Sequence, residues 1–383
     1  MDPGEQGQEQ DHRIPGHLIE ELLKQRGWTK KVLSIVLNYD ESTLNKIISG
    51  KRQLDAEMAL VLGEVFDVEP ERFLDLQRKF DLAQARIIVK PDPKRAGRAR
   101  LFGGLPVTDM IKRSWIDVDD VRDVARVEAA VLKFFRVGSV DEIEAAAAPH
   151  AAKKTDVGKA PSMLQCAWLR RVRQVAEDML VPAFSTAKAR EVAEIMQRYL
   201  SAAEEARHVP RALSEAGIRF VMVESLPGAK IDGVCTWLAD DAPVIALSCR
   251  LDRIDNFWFV LRHELEHVIR GDGKLQATVD TDAEFAVKGE LPSEEHAANA
   301  AAAEFCVPQA KLQQFIDRKD PYYAERDIIG FAKTQGIHPG VVAGQLQRHT
   351  ERYDRFRAHQ VKIRSIVAPN AVVDGWGDVA PVE

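Results

Sequence analysis

A mainly α fold with one small antiparallel β-sheet, of the α+β class, is what this sequence predicts, on three observations. Apolar residues recur at helical spacing through most of the 383 residues. Runs with strand character are confined to 218–247. Asn, Asp, Ser, Thr, Pro and Gly stand where short helices should begin and end. Hydrophobic residues make up 45% of the chain and charged residues 29%, an ordinary globular balance, and the length allows two or three domains. No run of about 18 apolar residues occurs, so no membrane span is expected. Residues 1–13, MDPGEQGQEQDHR, are polar, lack the apolar core of a signal peptide, and are expected to form a disordered tail. Cys166, Cys235, Cys249 and Cys306 show no paired spacing, which suits reduced thiols in the cytoplasm. A net charge of −6 excludes a protein that is basic throughout but leaves room for a local basic surface.

Residues 14–85 read as five short helices. Leu18, Ile19, Leu22 and Leu23 form a stripe along 15–25, which ends before Gly27. Thr29 caps 30–37, and Asn38-Tyr39 makes a tight turn. Asp40 caps 41–49, stopped by Gly50; Asp55 caps a fourth helix to Phe66, and Pro70 opens a fifth. Two short helices joined by a three-residue turn describe a helix-turn-helix. The second, ESTLNKIIS, turns Leu44, Ile47 and Ile48 inward and Ser42, Thr43, Asn45 and Lys46 outward. Those hydroxyls, the amide and the amine can reach base edges and phosphates, and Lys51 and Arg52 suit backbone phosphates. On pattern alone, a helical bundle that binds protein is the alternative.

Residues 86–116 read as a basic linker. Between 90 and 113, seven Lys or Arg stand against two Asp, among three Pro and three Gly. Such a stretch could track phosphates beside a DNA-binding module. Residues 117–210 read as a helical middle domain. Val121, Val124, Val127, Ala130, Val131 and Phe134 form one stripe, and 168–180 and 187–206 are further amphipathic runs. The alanine run in 141–150 reads as helix or loop. No catalytic constellation occurs here, and packing is the expected role.

Strand character begins at 218–223 and continues in a hairpin-like pair, 233–238 and 244–247. An edge strand of such a sheet can pair with an extended peptide. Then comes the apolar run 256–270, with Asn256 as its expected cap and Gly271-Asp272-Gly273 as its stop. It contains His263-Glu264-Leu265-Glu266-His267. Residues i and i+4 share a helix face, so the two imidazoles converge as two ligands of a tetrahedral metal must. Glu264 stands beside the first, placed to take a proton from a metal-bound water.

A third ligand is expected in the helix that Ser293 starts, where Glu295, Ala298, Asn299 and Ala302 share a stripe of mostly small residues. Glu294 and His296 compete for the same role, and spacing leaves the choice open. Cys235 is a candidate latency thiol for the open metal position, against the alternative of a buried apolar residue. Helices are expected at 311–317, 327–335 and 341–347. His338, Tyr322 and Tyr323 are candidate donors to a developing oxyanion. Residues 351–383 read as a helix end and tail.

The segments HELEH and EEHAAN…EFCVP resemble the ImmA/IrrE metallopeptidases, and the resemblance extends over 211–350. Glu266 departs from the glycine usual before the second His, and Ala301 stands where the family often has Phe. The resemblance implies a zincin-like domain with one zinc per chain on His263, His267 and Glu295, and Glu264 as general base. Residues 14–85, with IPGHLIEELLKQRGWT, STLNKIISGKR and FLDLQRKFDL, resemble HigA-type antitoxins of the phage-repressor-like helix-turn-helix class. His17 departs from the Glu frequent there. This second resemblance implies operator DNA as a partner, a homodimer, and an RNase-type toxin as a further partner. Together they imply a DNA-binding regulator that relieves repression by zinc-dependent cleavage of itself, with 90–113 one candidate region, or of a partner regulator. The alternative is a non-proteolytic repressor or antitoxin whose peptidase-like domain is a sensor or toxin-binding scaffold.

Overall fold

The five N-terminal helices form where their caps predict. In this computed structural model, which describes residues 13–90, 92, 94–143, 162–274, 278–281 and 293–378, they are α1 (Pro15–Arg26), α2 (Lys30–Val36), α3 (Glu41–Ile48), α4 (Ala56–Phe66) and α5 (Pro70–Ile88). The side chains of Thr29, Asp40 and Asp55 accept from the N–H groups of Val32, Thr43 and Met58, satisfying donors that a helix start leaves open. Leu18, Ile19, Leu33, Leu44, Leu62 and Phe73 are buried together, each contributing on the order of 1.5–3 kcal/mol. Gly16 is required by packing: a Cβ there would lie 1.7 Å from the Ile48 carbonyl oxygen. The tail expected at 1–13 lies, except for Arg13, outside the described residues, as does 144–150 of the alanine run.

The chain divides into two compact units, 1–94 and 95–383. The second unit corrects several expectations. Residues 86–116 are not an open linker. The last turn of α5 reaches Ile88, and α6 (Lys94–Gly104) and α7 (Val107–Lys112) follow. Leu101, Leu105, Val107, Met110, Trp115 and Ile116 are buried. The many Arg and Lys suggested solvent, but Arg95 stands on the exposed side while the apolar residues between the basic ones fill a core.

Next come α8 (Val124–Phe135), α9 (Met163–Glu177), α10 (Thr186–Tyr199) and α11 (Val209–Glu215). The strands are β1 (Arg219–Val223), β2 (Ile231–Trp237), β3 (Pro243–Leu247), β4 (Thr278–Thr281) and β5 (Val372–Asp374). Helix α12 (Ile254–Arg270) precedes β4. After it come α13 (Ser293–Cys306), α14 (Gln309–Lys319), α15 (Glu325–Gln335), α16 (Pro339–Thr350) and α17 (Arg364–Val367).

The mainly α class with one small sheet holds, but the sheet is mixed. Its order is β4-β2-β3-β1-β5. The β2–β3 hairpin and the β2–β4 pair are antiparallel, whereas β1 runs parallel to β3 and to β5. The hairpin lands with β3, not β2, beside β1, and β1 and β3 run the same way. Residues 351–383 therefore supply more than a tail, since β5 extends the sheet past β1.

Both faces of the sheet are covered. Phe220, Met222, Cys235, Ile245 and Leu247 pack with Trp258, Leu261 and Leu265 of α12. Val221, Val223, Val234, Val244 and Ala246 pack with Met110, Trp115, Val131, Trp168 and Val172. The stretch expected as a separate middle domain is thus divided between the outer layers of the same three-layer unit: α8 and α9 cover one face, while Ala189, Val192 and Met196 of α10 pack on the other with α12. Asp374 of β5 ties it down: its carboxylate accepts from Trp115 Nε1 at 2.9 Å and from Arg171 Nε.

Candidate metal centre

Helix α12 carries the site. It begins at Ile254, two residues before the expected cap Asn256. Arg253 is extended at the N-cap without a capping side chain, and the Ile254 N–H finds the Val361 carbonyl instead, at 3.1 Å. A distant backbone group does the work expected of Asn256. The helix ends as expected at Gly271, which adopts φ 76°, where a side chain would be strained. Helix α13 packs along α12 through Ala298 and Ala302, both buried. Larger residues there would hold the helices apart and keep Glu295 from the imidazoles.

The convergence is close. His263 Nε2 and His267 Nε2 lie 2.9 Å apart. Glu295 reaches both, with Oε2 3.2 Å from His263 Nε2 and Oε1 3.4 Å from His267 Nε2. These three are the one His/Cys/Asp/Glu group among the described residues with ligand atoms so gathered. Of the competitors, Glu294 contacts Ser293 Oγ and His296 is exposed, so burial selects Glu295 where spacing could not.

The outer ring nitrogens are fixed as well. His267 Nδ1 lies 3.1 Å from Asp272 Oδ2 and His263 Nδ1 3.2 Å from Asn299 Oδ1. A carboxylate only accepts, so His267 carries its proton on Nδ1 and points a lone pair inward. Two such lone pairs and a carboxylate in one buried place repel one another unless a cation is shared. Tetrahedral zinc with bonds of about 2.0–2.1 Å spaces its ligands about 3.3 Å apart, and this donor set fits it. Burial pushes the Glu295 carboxyl up, but the two imidazoles beside it, at 3.2 and 3.4 Å, outweigh that and leave its pKa lowered.

Glu264 is buried and lies against β2. A Cβ at Gly233 would stand 2.6 Å from Glu264 Oε1 and 2.5 Å from Val260 Cγ1. Only glycine lets the strand come this close to the carboxylate. The functional weight of Gly233 escaped the motif reading, although a glycine inside a strand is the usual sign of close approach.

Other expected participants lie elsewhere. Cys235 is buried on β2, but its Sγ lies 3.8 Å from the Asp272 carbonyl and is not in the metal-ligand group, so the latency role has no support here. His338 caps α16, its Nδ1 accepting from Gly340 N–H at 3.0 Å, and the charges around it are Glu204 and His359. An oxyanion role would need the ring's Nε2–H beside the metal ligands; the adjoining Gly340 lies instead against Ile254, nine residues before His263 on α12. Tyr322 is exposed, and the Tyr323 hydroxyl donates to Asp320. In the first unit, Ser42, Asn45, Lys46, Lys51 and Arg52 are exposed and Thr43 half-exposed. The Lys51 and Arg52 N–H groups both donate to the Lys46 carbonyl, which folds the basic pair back onto the end of α3.

A helix-turn-helix unit followed by a unit with an HExxH centre defines a DNA-binding regulator domain joined to a peptidase-like domain. Residues 19–73 match the helix-turn-helix family, and residues 214–343 match the IrrE N-terminal-like domain. Among curated proteins, the chain is 31% identical over 75 residues to YddM of Escherichia coli (strain K12), described as an uncharacterized HTH-type transcriptional regulator; this spans 20% of the chain and 80% of YddM. It is 38% identical over 71 residues to virulence-associated protein A′ of Dichelobacter nodosus, spanning 18% of the chain and 62% of that protein. The chain belongs to the HTH-type transcriptional regulators, with an IrrE N-terminal-like domain in its second unit. Among the described residues, no helix is long and apolar enough to cross a membrane.

Proposed function

We propose that this protein is an operator-binding regulator whose second unit is a zinc-dependent endopeptidase, cleaving itself or a partner regulator in the cytoplasm to relieve repression. The observation that carries the reading is the meeting of His263, His267 and Glu295 within 4.8 Å, with Glu264 alongside. Zinc bound there would bring a coordinated water toward a pKa near neutrality and polarise a peptide carbonyl. His263, His267 and Glu295 would hold the ion. Glu264 takes the proton of the attacking water and returns it to the leaving amine, and its enclosure by β2 and α12 keeps bulk water from competing. In the first unit, Ser42, Thr43, Asn45 and Lys46 face the base edges, with Lys51 and Arg52 on the phosphates. A homodimer on the operator and an RNase-type toxin as a further partner belong to the same proposal.

One observation favours the second reading, a repressor whose peptidase-like domain is a sensor or scaffold. His263, Glu264, His267 and Glu295 are at most 2% exposed, so a peptide reaches them only after local opening. Full-length wild type and Glu264→Gln, expressed in parallel, separate the readings. The peptidase reading expects one zinc per chain in both and fragments, mapped by mass spectrometry, in wild type alone. Zinc in both with both chains intact, in the presence of operator DNA and cell extract, supports the sensor instead.

A further inference from the structure

We infer that Asp272 is a positioning residue of the metal centre, fixing His267 in the tautomer and orientation that bind a cation. The inference rests on the zinc reading above. On a continued helix, residue 272 would sit five positions past His267, roughly 140° around the axis and away from it. The left-handed turn at Gly271 reverses the chain instead. It lets the Asp272 N–H donate to the His267 carbonyl at 2.9 Å and brings the carboxylate back under the ring, with Oδ2 3.1 Å from His267 Nδ1.

Asp272 is held at both ends. Its carbonyl accepts from Trp237 Nε1 at 2.8 Å, and Cys235 Sγ also lies against it. Its carboxylate also accepts from Arg270 Nε at 3.2 Å. The carboxylate is therefore oriented before any ion arrives and can place only a proton, not a lone pair, on His267 Nδ1. His263 has a different partner, the neutral amide of Asn299 on α13. The two imidazoles are thus unequal: His267 is backed by a carboxylate, whose charge Arg270 shares, and His263 by a neutral amide, which makes the His267 Nε2 the stronger donor to a metal. Strand β2 serves the centre twice, through Gly233 against Glu264 and through Trp237, which anchors Asp272.

The test uses full-length wild type, Asp272→Ala and Asp272→Asn, stripped of metal. Zinc affinity is measured by competition with a chromophoric chelator, and cobalt(II) absorption reports the geometry of the centre. Asp272→Ala is expected to lose about 10–100-fold in zinc affinity and to shift the cobalt band, with the metal-free melting temperature unchanged. Asp272→Asn keeps an acceptor oxygen but no charge, and is expected to fall between. A purely structural role would lower the melting temperature and leave the cobalt band in place. Wild-type affinity and spectrum in Asp272→Ala overturn the inference alone. Should that variant fail to fold, wild-type affinity in Asp272→Asn overturns it equally. A wild type that binds neither metal overturns the zinc reading and the inference with it.

Discussion

Gly233 and Glu264 show how little room the centre leaves. The glycine's φ is unremarkable in sign; what demands glycine is space, since a methyl group would press on both the carboxylate and Val260. Gly233→Ala should therefore keep zinc while displacing the base, because the atoms nearest an added methyl belong to Val260 and Glu264, neither of them a ligand. A shift of about 1 Å can cost on the order of 100-fold in rate. Zinc content and fragment yield measured on the same preparation check this; unchanged cleavage would mean that the strand yields and the glycine is incidental. At this scale much was legible in the sequence. The i, i+4 histidines and the adjoining Glu264 follow from helix geometry alone. Glu295, Glu294 and His296 could not be separated, because local spacing does not say which side of α13 faces α12; burial does. His338 caps α16, a role the sequence could not separate from that of an oxyanion donor, because it does not reveal what surrounds the ring.

Helix and strand positions were readable wherever caps and stops are side chains. Thr29, Asp40, Asp55 and Gly271 all act as their types predict. The start of α12 was misplaced because its first free N–H is satisfied by a distant carbonyl. Strand direction was misread because alternation fixes which face is buried and says nothing of which neighbour a strand takes. The start of α16 supplies a test at this level. Burial lowers the pKa of His338, and its neutral Nδ1 accepts the Gly340 N–H. The folded value lies below the unfolded one, so the stabilising contribution is complete above about pH 6.5 and is lost as pH falls through the folded value. His338→Asn preserves a cap without titrating. Its melting temperature should fall less than that of wild type between pH 7 and pH 5; equal falls would show that His338 does not carry this dependence.

The molecule joins two chemistries in one chain. Its first unit presents a helix with polar and basic side chains outward, and its second encloses a carboxylate and three ligand atoms between a sheet and two helices. The second unit is larger than its motifs indicated, because apolar residues at 101–116 and 163–177 close the far face of the sheet and 372–374 adds its edge strand. Those segments carry no motif, and their place becomes visible only when the sheet is assembled. The proposed proteolysis depends on an ion at His263, His267 and Glu295. X-ray absorption at the zinc edge of the full-length chain tests this most directly. One zinc per chain is expected, with a first shell of nitrogen and oxygen at about 2.0–2.1 Å and two of the ligands showing imidazole scattering. No bound zinc, or a sulfur ligand at about 2.3 Å that would bring Cys235 to the metal, would contradict it.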